Sequence, residues 1–139
     1  MSLAPRPLPG DVTPDALDQP FWDACSEHHF LVHRCGRCGR SYWPASCCVD
    51  HGSADMEWVE ASGRARLHTY VIIHHLFGTA FREMPYNVAV VELEEGPLFH
   101  SNIVGCDDDA LVVDMDLEVV FEDQPEGFTL PVFRPASRS

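Results

Sequence analysis

The sequence predicts a mostly β protein: an N-terminal helix, a small cysteine-rich module and a five-stranded barrel. Three observations carry that prediction. Four of the six cysteines fall between residues 35 and 48, in a stretch punctuated by Gly36, Gly39 and Gly52. After Gly63 the chain turns to runs of β-branched and aromatic residues separated by turn-formers. Helical spacing of apolar residues is read in one early segment, near residue 20.

Taken in order, residues 1–17 are proline-rich and aperiodic, and are read as a loosely held arm. The stretch DQPFWDACSEHHF predicts a short helix. Asp18 is placed to cap it and Pro20 suits its first turn. Phe21, Trp22 and Cys25 recur at helical spacing and define its apolar face. Residues 30–58 form a module too small to bury enough apolar surface unaided. It is grouped with the helix as one unit, residues 18–61, and the barrel is assigned to residues 62–136.

The barrel strands are read in RLHTYVIIHH, YNVAVVELEE, PLFHSNIVG, LEVVFED and FTLPVF. In the fourth, Leu117, Val119 and Phe121 alternate with Glu118 and Glu122. In the fifth, Phe128, Leu130 and Val132 are assigned to one face. Between the third and fourth, GCDDDALVVDM has room for one helical turn capped by Asp107 or Asp108. Five strands with an insertion after the third match the OB-fold count, although count alone admits other small barrels.

Length and charge narrow the function. A chain of 139 residues has room for one modest barrel and a small satellite. No apolar run reaches the 18 or so residues of a membrane span, and the N-terminus lacks an apolar signal-peptide core. These features place the expected location in the cytoplasm. The formal net charge is −13, from 22 acidic against nine basic residues. A broad nucleic-acid surface needs many cations to displace counterions, so such a surface is not expected. Arg34, Arg37 and Arg40 form one local basic patch, read as solvated charge around a turn.

Clustered cysteines without an export signal point to a metal rather than to disulfides. Cys35-Gly-Arg-Cys38 followed by Gly39 is a zinc-knuckle spacing, and Cys48-Val-Asp-His51-Gly52 repeats it with histidine as the last donor. Cys35, Cys38, Cys48 and His51 therefore predict one structural zinc ion held by three thiolates and one imidazole. Cys47 competes with Cys48, but only Cys48 keeps the spacing to His51. The alternative is a decayed knuckle held by packing. An iron site of rubredoxin type would want four thiolates. Four protein ligands leave no open position for metal-based catalysis.

These segments, in this order, resemble the DUF35 family, in which a rubredoxin-like zinc ribbon is joined to an OB-fold. The resemblance rests on PFWDACSEHHFLVHRC, CGRCGRSYWP, CCVDHGSADMEWVEASGRARLHTYVI, MPYNVAVVELEEGP, NIVGCDDD and VVFEDQPEGFTLPVFRP, across residues 20–135. It implies a small, non-catalytic partner of a thiolase or SCP2-type enzyme, an acyltransferase or aldolase acting on acyl-CoA, helping to shape the CoA channel in a hetero-oligomer. Some members accompany a MaoC-type enoyl-CoA hydratase, which is the alternative. The family pattern has cysteine where this chain has His51.

Other chemistry fares less well. His74 and His75 are adjacent on a strand and point to opposite faces. Cys106 precedes three aspartates, which raise a thiol pKa rather than activate it. No serine-hydrolase triad spacing or phosphate-binding glycine loop is present. An isolated acyl-CoA hydratase or hydrolase is a weaker reading, and a free-standing OB module binding nucleic acid another. Residues 75–86 carry Phe77, Phe81, Arg82 and Tyr86 on a long connector. Together with Phe21 and Trp22 they are the candidates for facing a partner or CoA, with Arg82 able to meet a phosphate. The competing reading has these aromatics folding back to pack the barrel end or the helix.

Overall fold

In a computed structural model, residues 17–75, 85–125 and 127–136 are described. The expected N-terminal arm thus lies, except for Leu17, outside the described residues.

Among the described residues, one α-helix and two sheets make up the fold. Helix α1 (Gln19–Ser26) starts at Asp18, whose carbonyl accepts the Phe21 amide at 3.0 Å, and it carries a proline in its first turn. It ends by reversing the chain at His28, with φ +63°. The His28 amide reaches the Cys25 carbonyl (2.9 Å) and the His29 amide that of Ala24 (2.8 Å), a Schellman pair of bonds at a position that usually takes glycine. His28 is held there by stacking on Phe121 and by its contact with Asp123. Phe21 and Cys25 are fully buried on the inner face, and Trp22 is half-buried beside them.

The first sheet has the order β2-β1-β3, from β1 (Leu31–Cys35), β2 (Ser41–Tyr42) and β3 (Met56–Glu60). These short strands are absent from the sequence reading, where the cysteine and glycine punctuation hides their alternation. The second sheet has the order β6-β5-β4-β7-β8 and curls into an OB-like barrel. Its strands are β4 (Arg64–Ile73), β5 (Tyr86–Leu93), β6 (Leu98–Ser101), β7 (Asp116–Asp123) and β8 (Thr129–Pro135). The barrel closes where β6 runs out: Ile103 bridges to Phe133, the Val104 amide donates to the Phe133 carbonyl (2.8 Å), and the Phe133 amide to that of Asn102 (3.1 Å). The expected insertion is a single 3-10 turn (Asp108–Ala110) at Asp107. Asn87 ties it down, its side chain donating to the Ile103 carbonyl and to Asp108 while accepting the Ile103 amide.

The last strand is covered on both faces. Val132, on the face shared with Leu130, is buried, and Phe133, on the opposite face, joins the core cluster. Helix α1 packs across the strand and Trp22 meets Phe128 edge-on at 6.0 Å. A strand covered on both sides carries apolar residues on both faces, as Val132 and Phe133 do.

Among the described residues, helix, ribbon and barrel share one core. Phe21 from the helix, Phe30 and Val32 from the ribbon, and Leu67, Val91, Leu117 and Phe133 from the barrel belong to one cluster. Phe21 is its hub, with ring centroids 4.0 Å from Trp43, 5.9 Å from Phe30 and 6.4 Å from Phe99. Gly63 makes the junction possible. Its φ is +80°, and a Cβ there would stand 2.7 Å from Val119 Cγ1.

Candidate metal centre

Strand β1 ends at Cys35, and the chain reverses at once. The Gly39 amide donates to the Cys35 carbonyl (2.7 Å) and the Cys35 amide to the Arg40 carbonyl (2.9 Å), with Gly39 at φ +80°. That turn carries Cys38 back toward Cys35. The second half repeats the device: Cys48 and Gly52 exchange amide–carbonyl bonds of 3.0 and 2.9 Å, with Gly52 at φ +67°. Both trailing glycines therefore occupy the left-handed region that the turns require.

The two turns bring together the four residues singled out by spacing. Ligand atoms of Cys35, Cys38, Cys48 and His51 all lie within 4.8 Å of one another. Cys38 Sγ is 3.6 Å from Cys48 Sγ, and His51 Nδ1 is 3.5 Å from Cys48 Sγ and 3.7 Å from Cys35 Sγ. A tetrahedral ion with bonds of about 2.0–2.3 Å has ligand–ligand edges of about 3.4–3.8 Å. The three short edges match that tetrahedron, so the residues present fit a four-coordinate metal ion. Cys48, not Cys47, enters the cluster; Cys48 is buried and Cys47 is exposed.

The surroundings already favour ligand charge. Burial would raise the Cys48 thiol, but the amides of Asp50 and His51, the Tyr42 hydroxyl and Cys38 outweigh it and bring it down to about 6. Burial is likewise outweighed at Cys35, chiefly by the amides of Cys38 and Arg37, and its pKa falls. At Cys38 the Arg40 amide lowers the pKa, but burial and the neighbouring sulfurs prevail and raise it. His51 is raised by its bonds to Cys48 and Cys35. Metal binding at such a cluster releases protons, because thiolate and neutral imidazole are the ligating forms.

His33 supports this centre and escapes the sequence reading. It is buried on β1, stacked 4.5 Å from Trp58 on β3, and accepts the Ser46 amide at Nδ1 (3.1 Å). Burial keeps its pKa below the usual histidine range. The Ser46 bond selects the tautomer with its proton on Nε2, so a neutral ring tethers the segment leading into Cys48. Two consecutive buried residues, Val32 and His33, on a five-residue strand give no periodic signal.

The other candidates separate. Phe21 is fully buried and Tyr86 is 8% exposed, opposite Ile73 at the start of β5. Helix α1 turns Phe21 inward, against Phe30, Trp43 and Phe99. Trp22 is half-buried and, with Trp43, Phe99, His100 and Leu130, lines a cleft of about 290 Å³. Phe77, Phe81 and Arg82 lie outside the described residues. His74 and His75 are exposed beyond the end of β4. Cys106 has its thiol raised by burial and by Asp108 and Asp107, as its neighbours predict. Arg34, Arg37 and Arg40 are exposed around the first turn. Among the described residues, no helix is long and apolar enough to cross a membrane.

Comparison with known proteins adds to this geometry. A family profile described as "ChsH2, C-terminal OB-fold domain" matches residues 58–122. The chain is 38% identical over 137 residues to the "Probable enoyl-CoA hydratase alpha subunit" of Thermomonospora curvata, covering 97% of this chain and 41% of that one. It is 30% identical over 103 residues to a "DUF35 domain-containing scaffold protein" of Methanocaldococcus jannaschii, covering 72% and 73%. It is 27% identical to the "3-oxo-4,17-pregnadiene-20-carboxyl-CoA hydratase alpha subunit" of Mycobacterium tuberculosis, covering 88% and 42%. The chain therefore spans about two fifths of the length of each hydratase alpha subunit. Among solved structures, a chain of the "Ltp2-ChsH2(DUF35) aldolase" superimposes with a TM-score of 0.81 at 36% identity, covering 90% of this chain and 98% of that one. A DUF35 protein of unknown function from Sulfolobus solfataricus shares the fold, with a TM-score of 0.62 at 17% identity, covering 87% and 86%.

Proposed function

We propose, on the premise that this chain belongs to the DUF35 family, that it is a non-catalytic accessory subunit of an enzyme acting on acyl-CoA. The partner in this reading is a thiolase-fold or SCP2-type acyltransferase or aldolase. The observation that carries it is the likeness in fold, over 90% of this chain and at 36% identity, to a chain of the "Ltp2-ChsH2(DUF35) aldolase". A MaoC-type hydratase partner is the second reading, favoured by the similarity to a protein named as a hydratase alpha subunit along almost the whole chain.

The ion that suits three thiolates and an imidazole at tetrahedral spacing is zinc. Cys35, Cys38, Cys48 and His51 would hold it, and it would supply structure alone, because four protein ligands complete its coordination. The chain's own residues then do the organising. Phe21, Trp43 and Trp58 pack helix against ribbon, and Phe99 joins them from the barrel. Trp22, Phe77, Phe81 and Arg82 are assigned to the partner or CoA side. Arg82 is suited to a CoA phosphate because a guanidinium forms charge-assisted bonds to phosphate oxygens. Free cysteines gathered in a metal set rather than in disulfides support a cytoplasmic location.

Co-expression with a thiolase-fold or SCP2-type enzyme subunit of the same organism tests the proposal. The two chains are expected to co-purify in fixed ratio, with acyl-CoA turnover by the pair and none by this chain alone. Turnover of a thioester by the isolated chain would falsify the reading.

A further inference from the structure

Strand β4 changes partners along its length. Its first residues, Arg64, Ala65 and Arg66, pair with β7 on one side and lie against β5 on the other. Leu67 is still bonded on the β7 side, by the Asp114 amide (2.8 Å) and the Met115 carbonyl (3.1 Å). Beyond the irregularity at Leu67/Thr69, residues 69–73 continue the strand, and among the described residues only β5 pairs with them. Among the described residues, a strand that is central at its start is therefore an edge at its end. Alternate residues there direct N–H and C=O away from the sheet.

Natural sheets guard their edges with charge, proline or shortness. Here β2 has two residues, the outer strand β3 carries Glu57 and Glu60, and β6 is closed onto β8. By contrast, Thr69, Tyr70, Val71, Ile72 and Ile73 include no charge and no proline, and all are strong β-formers. Val71 leaves 54% of its surface exposed. At the near end of this edge stands the turn closed by the Met115 amide on the Val112 carbonyl, with Val112 63% and Val113 52% exposed. Exposed Asp114 and Asp116 flank that apolar shoulder.

We propose that residues 69–73 are the seat of an extended strand donated by the enzyme subunit assigned above as partner; the inference rests on that assignment. An edge accepts an extended backbone because only that spacing matches its alternate donors and acceptors. A second copy of this chain is disfavoured by a net charge of −13 on each molecule. The donated strand is apolar where it meets Val71, Val112 and Val113, and carries Lys or Arg at the end that meets Asp114 and Asp116.

The test uses the full chain and the enzyme subunit that co-purifies with it. Amide hydrogen exchange is measured on the free chain and on the purified pair, and Kd is measured for wild type and Val71→Lys. Complex formation is expected to slow exchange within residues 69–73. Val71→Lys, at an exposed position, is expected to weaken Kd by about tenfold or more by placing a charge in the new strand pair, with the metal content and melting temperature of the free chain unchanged. Should the variant not fold, the exchange measurement on wild type decides alone. Unchanged exchange at 69–73 with an intact complex overturns the strand seat and leaves the accessory-subunit reading standing. Absence of any complex overturns both. A dimer of this chain alone that Val71→Lys dissolves overturns the donated strand in favour of a second copy.

Discussion

Cys47 and Cys48 are neighbours with opposite fates, and the difference is one of direction. The turn closed by Cys48 and Gly52 aims the Cys48 sulfur at Cys38, while Cys47 stays in solvent. Cys48→Ser is therefore expected to abolish stoichiometric metal binding, and Cys47→Ser to leave it intact, as read by metal analysis of the purified chains. That choice was legible in the sequence, because a tight turn fixes the spacing between two ligands. The role of Phe21 was not. An eight-residue helix with adjacent Phe21 and Trp22 does not reveal which ring is covered, since the covering surface comes from residues 43, 58 and 99. Reactivity separates the remaining thiols. Burial pushes Cys25 up to about 12, so in the native protein it should resist alkylation while Cys47 reacts, and mass spectrometry of the labelled chain reads the outcome. Asp123 gives a pH signature. The Thr129 hydroxyl and the His28 ring hold its carboxyl below the usual 3.8. Its contribution is complete above 3.8 and is lost as pH falls through the lower folded value. Asp123→Asn should flatten that acid limb of the melting temperature, by little because the side chain is largely exposed.

Elements meet at Gly63, between the end of the ribbon and the start of β4. Its carbonyl accepts the Val119 amide (2.8 Å), and its backbone sits where a side chain would press on Val119. Gly63→Ala combines an unfavourable positive φ with a 2.7 Å contact and is expected to destabilise the chain by about 1–3 kcal/mol, read from denaturant unfolding. The barrel strands were legible because β-branched runs and turn residues alternate after this glycine. The ribbon strands were not, because β1 and β3 are five residues each and their pairing, Leu31 opposite Glu60 through Cys35 opposite Met56, joins segments separated by the whole metal loop. Which face of β8 meets the core is left open by the sequence, because α1 packs on the strand as well.

For the whole molecule, the shared core couples ribbon and barrel. Phe21→Ala empties the point where helix, ribbon and barrel converge, at a cost of about 3–5 kcal/mol. It is expected to split a single unfolding transition into two, with the ribbon lost first, by calorimetry of the metal-loaded chain. The same convergence has an optical consequence. The three tryptophans, Trp22, Trp43 and Trp58, all sit around Phe21, at 5.2, 4.0 and 6.4 Å, and β4 to β8 contain none. Indole emission therefore comes from the seam alone. A red shift would announce water entering between ribbon and barrel while far-ultraviolet ellipticity still reported an intact β body. The chain carries its own fluorophores at the joint where its two sheets are fastened together.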